Sequence, residues 1–185
     1  MAGHKFIPKM DLRERRSFTA EELLNYLSYD DEKGHFYWKV RVHCHGGGRN
    51  PGDLAGTSKD GYCQIKVFGR HYRSHHLVWL IKTGAWPPVG LDIDHRNGNK
   101  SDNRWLNLRL ATRTQNNANT PVRETNSTGF TGVYRQTDGK GKFFARITLN
   151  KRSIHLGTFD SIDDAVHARK KAEIDMFGEF STNSR

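Results

Sequence analysis

The sequence has little cysteine and no long apolar run, and both absences exclude classes of protein. Only Cys44 and Cys63 are present, far apart and in no CxxC pair, which excludes a disulfide framework and a four-cysteine zinc site. No stretch is long and apolar enough to span a bilayer, and the charged N-terminal residues have no apolar run behind them. We therefore expect a cytoplasmic protein with neither a membrane segment nor a secretory signal.

Acidic residues are outnumbered by basic ones, with 20 Asp and Glu against 30 Lys and Arg, so the formal net charge is +10. A cationic surface gains affinity for a polyanion because binding releases counterions condensed on the phosphates. The hydrophobic share is only 35%, which predicts small cores and many loops. Aromatic residues still make up 11%, which argues against wholesale disorder. The composition therefore favours a folded protein with a nucleic-acid partner.

We predict four segments along the chain. They are a flexible basic arm over 1–18, a first domain over 19–120, a linker over 121–129 and a second domain over 130–185. The linker contains Pro121 and polar residues without apolar periodicity, which is typical of a connection between domains. At 185 residues the chain has room for two small domains of this kind.

The first domain reads as a mixture of short helices and strands. Thr19 and Glu22 form a capping box ahead of three leucines at helical spacing, which predicts a helix over 19–28. Turn residues separate short apolar runs downstream, and glycine and two prolines stop a longer run. The predicted elements are strands over 35–40, 62–68 and 70–73, followed by a helix over 75–83.

The second domain reads as three strands followed by one helix. The helix is predicted to begin after Ser161, a good N-cap, and to end before Gly178, a good C-cap. Its apolar residues mark a face that can cover a sheet, so we expect a small three-stranded antiparallel sheet packed on one helix and an α+β fold class. The strands are predicted over 132–136, 143–149 and 153–159, and the apolar helix positions are Ile162, Ala165, Val166, Ala172 and Met176.

The segment from Leu91 to Asn119 carries the most informative pattern. Leu91 and Ile93 alternate with two aspartates, as on a half-buried strand, and lead into Asp94-His95. A loop rich in Asn, Asp and Gly follows, and such side chains hold a loop by bonding their own backbone. A second short strand is predicted over 108–111. Thr112 and Gln115 then form a capping box, which predicts a helix from about residue 113.

This order of strand, loop, strand and helix, with Asp-His first and Asn116 on the helix, resembles the HNH nuclease motif. It is similar to the variant in phage homing endonucleases in which the last His is replaced by Asn. Gly-Asn-Lys at 98–100 and Asn-Leu-Arg at 107–109 carry the likeness further, and His75-His76-Leu77-Val78 resembles the leader that precedes the motif. The resemblance implies a ββα-metal nuclease domain with flanking strands and helices.

The resemblance also implies roles for individual residues. Asp94 and Asn116 would hold one divalent cation, His95 would be the general base that deprotonates the attacking water, and Asn107 would brace the loop and orient His95. An oxygen-only ligand pair favours Mg²⁺ or Mn²⁺, and an unperturbed histidine titrates close to neutral pH. Asn in place of the last His leaves fewer protein ligands, so a single-strand nick is an alternative to a double-strand cut. A direct catalytic part for His75 or His76 stays open beside a packing role.

The second domain resembles the Apetala-two (ethylene-response-factor) DNA-binding domain in Gly132-Val133-Tyr134-Arg135, the run 141–147 and the run His155-Leu156-Gly157-Thr158-Phe159. That family lays a three-stranded sheet in the major groove with one helix behind it. The predicted strands are rich in basic residues, whereas the helix is more acidic, so the sheet would face DNA. By position, the residues expected on the DNA face are Arg135, Lys142, Arg146, Thr148, Arg152, Ser153 and His155.

The leading interpretation is a site-specific, homing-type DNA endonuclease from a bacterium or phage. It would hydrolyse phosphodiester bonds in double-stranded DNA with one divalent metal and a His general base. Two DNA-contacting regions on one chain let a monomer recognise a long asymmetric site. The alternative is a sequence-specific DNA-binding protein or regulator without catalysis. RNA binding is a third possibility, disfavoured by the absence of an RRM-like aromatic signature.

Overall fold

A computed structural model of the 185-residue chain describes residues 18–43, 48–118, 126–137, 139, 141–149 and 152–181. The predicted N-terminal arm, apart from Phe18, and most of the predicted linker lie outside these residues. The chain divides into two compact units, Met1–Leu110 and Ala111–Arg185. None of the helices in the described parts has the length and apolar character needed to cross a membrane.

Among its described residues, the first unit contains two helices, seven short strands and one turn of 3₁₀ helix. Strands β1 and β2 form an antiparallel hairpin, β3, β4 and β5 form an antiparallel sheet, and β6 pairs with β7. The elements are α1 (Ala20–Leu24), β1 (Leu27–Asp30), β2 (His35–Trp38), β3 (Thr57–Lys59), β4 (Tyr62–Val67), β5 (Arg70–Arg73), α2 (Ser74–Thr83), β6 (Asp92–His95), the 3₁₀ turn (Trp105–Asn107) and β7 (Leu108–Ala111).

Helix α1 begins as predicted but is shorter than predicted. The capping box is present, because the Thr19 side chain accepts from the N–H of Glu22 and the Glu22 carboxylate accepts from the N–H of Thr19. The helix ends at Leu24, so the predicted helix over 19–28 is wrong from residue 25 onward. Leu27 instead lies in β1 opposite Trp38, and both side chains are buried in the core, so strand pairing overrides the local helical spacing.

The core of the first unit lies between α2 and the sheets. Leu77, Val78 and Leu80 of α2 are fully buried, as are Ile65 and Val67 of β4. Each side chain of this size contributes about 1.5–3 kcal/mol when it leaves water. The predicted helix over 75–83 and the strand over 70–73 are confirmed. This core fixes β6 and α2, which carry the histidines discussed below.

The second unit is a three-stranded antiparallel sheet in the order β10-β9-β8, with α4 packed on one face. Alternate residues of β9, Ala145 and Ile147, point to the helix and are buried with Val133 and Ala165. This is the architecture expected from the strand pattern. The elements are α3 (Arg113–Ala118), β8 (Val133–Arg135), β9 (Phe143–Leu149), β10 (Arg152–Phe159), α4 (Ile162–Phe177) and a 3₁₀ turn (Gly178–Phe180).

Helix α4 has the predicted ends but not the whole predicted face. The Ser161 hydroxyl accepts from the N–H of Asp164 at 3.1 Å, and Gly178 follows the last helical residue. Ala165 and Ala172 are buried as predicted, but Met176 is 37% exposed. The neighbouring Phe177 occupies the buried position instead, because a larger ring at that point of the helix covers more of the sheet's apolar surface.

Candidate active site

Strands β6 and β7 place a carboxylate, an imidazole and a guanidinium together in the interior of the first unit. Asp94 and His95, at the end of β6, are each only 5% exposed. Arg109 of β7 is also buried, and its Nε donates to Asp94 Oδ2 at 2.8 Å. A buried carboxylate needs such a partner because desolvation alone would favour its neutral form. The sequence pattern had given Arg109 no separate role.

The imidazole of His95 is oriented by Asn103. Nε2 of His95 lies 3.3 Å from Asn103 Oδ1, and Asn103 Nδ2 donates to the Ser101 carbonyl at 3.1 Å. That second bond assigns the amide so that its oxygen faces the ring, and His95 then carries its hydrogen on Nε2. The Nδ1 lone pair is therefore the one that can accept a proton.

The environment keeps His95 neutral. Burial lowers the pKa of His95 below its ordinary value, and this outweighs the opposing effects of the Asn103 hydrogen bond and the Asp94 charge. A neutral imidazole is the form that can take a proton from water. The site thus holds a buried histidine in the neutral form that can accept a proton. Beside it, Asp94 is paired with the guanidinium of Arg109.

Asn107 closes the loop between the two strands. Its Oδ1 accepts from the N–H of Asn97 at 3.0 Å, and its Nδ2 donates to the Asp102 carbonyl at 2.8 Å. Its backbone carbonyl accepts from the N–H of Arg96 at 2.8 Å. Asn107 therefore ties together both ends of the 96–107 loop, whereas the side chain that contacts the His95 ring is Asn103.

The hairpin β1–β2 supports Asn103 from outside the motif. The Tyr29 hydroxyl donates to the Asn103 carbonyl at 2.8 Å, and burial raises the pKa of Tyr29, so it remains a donor at neutral pH. Gly34, with φ of +71°, lies so close that a Cβ there would stand 2.5 Å from the Arg104 nitrogen and 2.8 Å from the Asn103 carbonyl carbon. The sequence offered no signal for this contact, because the partners are about 70 residues apart along the chain.

His75 is the most deeply buried histidine of the site, at 2% exposure in the first turn of α2. Its ring meets that of His95 edge-on with the centroids 5.0 Å apart, and that of His76 at 4.5 Å. Burial, together with the charges of His76, His95 and Arg73, lowers the pKa of His75 to about 2. Among the described residues its Nδ1 has no hydrogen-bond partner. It is a neutral packing group against His95.

Asn116 lies in helix α3 of the second unit. The capping box predicted to start this helix is present, since Thr112 N–H donates to Gln115 Oε1 at 2.8 Å and Gln115 N–H donates to Thr112 Oγ1 at 3.3 Å. Asn119 lies outside the described residues. In the parts of the chain that the structure describes, no three His, Cys, Asp or Glu side chains converge as a metal-binding group.

The sheet of the second unit has an open face on the side away from α4. Opposed residues of an antiparallel pair share a face. Arg146 opposes His155, Thr148 opposes Ser153, and Tyr134 opposes Phe144. The Tyr134 and Phe144 rings are stacked at 5.1 Å, and the Arg146 guanidinium lies 4.4 Å above the Tyr134 ring. Thr158 also opposes Phe144, so the open face comprises Tyr134, Phe144, Arg146, Thr148, Ser153, His155 and Thr158.

Three of the predicted DNA-face residues have other surroundings. Arg135 lies over the ring of Phe143, 5.1 Å from its centroid, and Phe143 alternates with the open-face residues. Arg152 opposes Leu149, again on the side of the sheet that packs on α4. Lys142 forms an ion pair with Asp160 at 2.9 Å. The structure therefore groups four of the seven predicted residues, Arg146, Thr148, Ser153 and His155, with an aromatic pair that the sequence pattern had not singled out.

Comparison with known proteins gives one finding. A family model described as HNH endonuclease matches residues 72–118, a stretch that includes α2, β6, the 96–107 loop, β7 and α3. The match supports a DNA-cleaving nuclease function for this part of the chain. No curated protein and no solved structure is significantly similar to the chain.

Proposed function

We propose that this protein is a metal-dependent endonuclease of double-stranded DNA in which His95 is the general base. One observation carries the proposal: His95 is buried, neutral and fixed by Asn103 at the end of β6, directly after the buried Asp94. Phosphodiester hydrolysis needs a base that can take a proton from water beside a source of positive charge. The family match at 72–118 supports the same function.

The donor set suits a hard divalent cation. Asp94 and Asn116 are the proposed ligands, and they offer only oxygen, which favours Mg²⁺ or Mn²⁺ over Zn²⁺. Asp94 is held in position by the buried Arg109, whose Nε donates to Asp94 Oδ2 at 2.8 Å. When bound, the ion would supply positive charge to the pentavalent phosphorus and its oxygens.

Three side chains of the protein have separate proposed roles in the reaction. His95 Nδ1 takes the proton from the attacking water, while Asn103 holds Nε2 and so sets the direction of Nδ1. Asn107 keeps the 96–107 loop closed, which keeps Asn103 in place. Orientation of this kind matters because a base misplaced by about 1 Å can cost a hundredfold in rate.

We propose that the second unit binds DNA through the open face of its sheet. Arg146 and His155 oppose each other on that face and are exposed, and a small sheet of this kind fits the major groove. The likeness to the Apetala-two domain supports the same orientation. Two DNA-contacting regions on one chain are consistent with a monomer that acts at a long, homing-type site, and the two-ligand metal set favours a nick over a double-strand cut.

The proposal is tested with supercoiled plasmid, purified protein and Mg²⁺ or Mn²⁺. We expect conversion to open circles, abolished by EDTA, with linear DNA only if both strands are cut. DNA binding is measured in parallel by gel shift in EDTA. Plasmid that is bound but stays supercoiled with either metal would contradict the endonuclease and favour the alternative, a DNA-binding regulator without catalysis.

A further inference from the structure

Two cations share one aromatic ring at the border of the candidate active site. The guanidinium of Arg73 lies 4.2 Å from the centroid of the Tyr62 ring, and the ammonium of Lys100 lies 5.0 Å from the same centroid. They come from distant parts of the chain, since Arg73 ends β5 and Lys100 belongs to the 96–107 loop. The fold therefore places two cationic side chains on one aromatic ring, and the ring itself carries no net charge to neutralise them.

No carboxylate of the described residues provides that neutralisation. Other basic residues of the first unit, such as Lys82 and Arg109, form ion pairs with aspartates, but Arg73 and Lys100 do not. A cation–π contact at an exposed site is worth only about 0.5–1 kcal/mol, so the ring alone holds each cation only weakly. An anion bound beside the two cations would add charge-assisted hydrogen bonds to both of them.

The shared ring also borders the proposed base. The centroid of Tyr62 is 6.1 Å from that of His95 and 5.4 Å from that of His75. Helix α2 begins at Ser74, directly after Arg73, so the partial positive charge of its N-terminus adds to that of the guanidinium. A phosphate bound by Arg73 and Lys100 would thus lie next to the imidazole that activates water.

We propose that Arg73 and Lys100, held on the ring of Tyr62, bind the phosphate group that is cleaved. This inference rests on the proposed nuclease function and adds to it the residues that hold the reacting group. Arg73 can donate two parallel hydrogen bonds to the non-bridging oxygens, and Lys100 adds a compact charge. Negative charge on those oxygens grows toward the transition state, so both contacts strengthen as the reaction proceeds.

The first arm of the test compares Arg73→Gln and Lys100→Gln with Lys66→Gln. Lys66 is exposed on the same strand as Tyr62, where it opposes His71, and is not in contact with that ring, so it controls for loss of one charge. Under single-turnover conditions at saturating protein, we expect Arg73→Gln and Lys100→Gln each to cleave at least about tenfold more slowly than wild type. The rate of Lys66→Gln should be unchanged. The melting temperature should change little in all three.

The second arm removes the charge from the DNA instead of the protein. Binding is measured in EDTA to a duplex with one neutral methylphosphonate at the cleaved position, mapped with wild-type protein. Wild type should lose affinity for this duplex, whereas the double variant Arg73→Gln with Lys100→Gln should bind the modified and unmodified duplexes equally, because both interacting charges are already gone.

The outcomes separate this inference from the proposed function. A wild-type protein that does not cleave would overturn both. If wild type cleaves but Arg73→Gln and Lys100→Gln match Lys66→Gln in rate, the assignment of Arg73 and Lys100 to the cleaved phosphate is wrong, whereas the proposed endonuclease function stands. A loss confined to melting temperature would assign the cations to stability of the β4–β5 hairpin, and a loss confined to affinity would place them on a flanking phosphate. Either result would overturn the assignment to the reacting phosphate.

Discussion

The ion pair between Asp94 and Arg109 is buried on both sides, and this shapes what each residue can contribute. A buried pair adds little net stability, because desolvation of both charges offsets their attraction. The ion pair instead holds the Asp94 side chain in position, directly before His95 in the chain. Removal of either partner is expected to lower the stability of the protein, since the remaining charged group would still be buried.

We predict that Asp94→Ala destabilises the protein by about 3–5 kcal/mol, the usual cost of leaving a buried charge behind. The measurement is urea unfolding in EDTA, so that no metal contributes. Glu32→Ala, at an exposed position in the β1–β2 turn, is the control and should change stability by less than about 0.5 kcal/mol. Equal small losses in both variants would show that Arg109 finds enough other contacts to tolerate the change.

His75 gives the protein a defined response to acid. Its pKa is about 2 in the folded state, through burial and through the charges of His76, His95 and Arg73, against about 6.5 in the unfolded chain. Below pH 6.5 the unfolded chain therefore binds a proton that the folded state does not, so stability falls as the pH falls. The slope is about 1.4 kcal/mol per pH unit, or about 2 kcal/mol lost by pH 5.

This pH response is checked by urea unfolding of wild type and His75→Gln between pH 5 and 8. The variant should show a shallower loss of stability below pH 6.5, because the amide does not titrate. His95 also has a lowered pKa through burial, so some slope should persist in the variant. Parallel profiles for the two proteins would contradict a neutral, buried His75.

The residues of the site divide into those that a linear pattern reveals and those that only the fold reveals. Asp94 and His95 stand at a motif spacing that can be read from the sequence. Asn103 lies inside the same loop, but nothing in the sequence distinguishes it from its neighbouring asparagines as the contact to His95. Tyr62 comes from a strand some 30 residues upstream, and such long-range contacts have no local signature.

At the scale of elements, the β1–β2 hairpin acts as a support for the 96–107 loop. It contacts the loop through the Tyr29 hydroxyl and through the close approach of Gly34 to Asn103 and Arg104. A short loop that carries a base partner needs such support, because its own hydrogen bonds are mostly exposed and exposed bonds open readily.

We predict that Gly34→Ala lowers the cleavage rate by about tenfold or more. Its Cβ would meet backbone atoms of the loop at 2.5 and 2.8 Å, so the loop must move and Asn103 loses its contact with His95. Gly84→Ala is a matched control, with a similar positive φ of +73° but nothing within 4 Å of the added Cβ. Both variants should lose stability from the left-handed backbone, and only Gly34→Ala should lose rate. Equal rates would contradict a role for the hairpin in positioning Asn103.

Elements with their own caps or strict alternation were predictable, and elements set by pairing were not. Helix α4 has Ser161 and Gly178 at its ends, and β9 alternates cleanly, so both match the bounds predicted from sequence. The strand β1 was missed because Leu27 continues the helical spacing of α1, and only pairing with Trp38 turns it into a strand. Strand β3 has three exposed residues and no apolar alternation to indicate it.

At the scale of the whole molecule, the proposed chemistry and the proposed DNA-binding face lie in different parts of the chain. The net charge of +10 favours general attraction to DNA, and we propose that the open face of the sheet adds contacts of its own. Binding and cleavage should then respond to different substitutions, because a contact formed equally in substrate and transition state does not change the saturated rate.

We predict that Arg146→Gln weakens DNA binding by roughly tenfold and lowers the slope of log affinity against log salt by about 1. The cleavage rate at saturating protein should be unchanged. Arg152→Gln is the control, since Arg152 is exposed but opposes Leu149 on the side of the sheet that packs on α4. Equal losses of affinity in the two variants would show that the sheet contributes only general charge.

The central claim, that His95 is the base of a nuclease site, is tested most directly by single-turnover cleavage of DNA in Mg²⁺ with His95→Ala and His71→Ala side by side. His71 is an exposed histidine of β5 in the same unit, so it controls for loss of an imidazole. We predict that His95→Ala still binds DNA but cleaves at least about a hundredfold more slowly than wild type, and that His71→Ala cleaves at the wild-type rate. Cleavage by His95→Ala at the rate of His71→Ala would contradict the account.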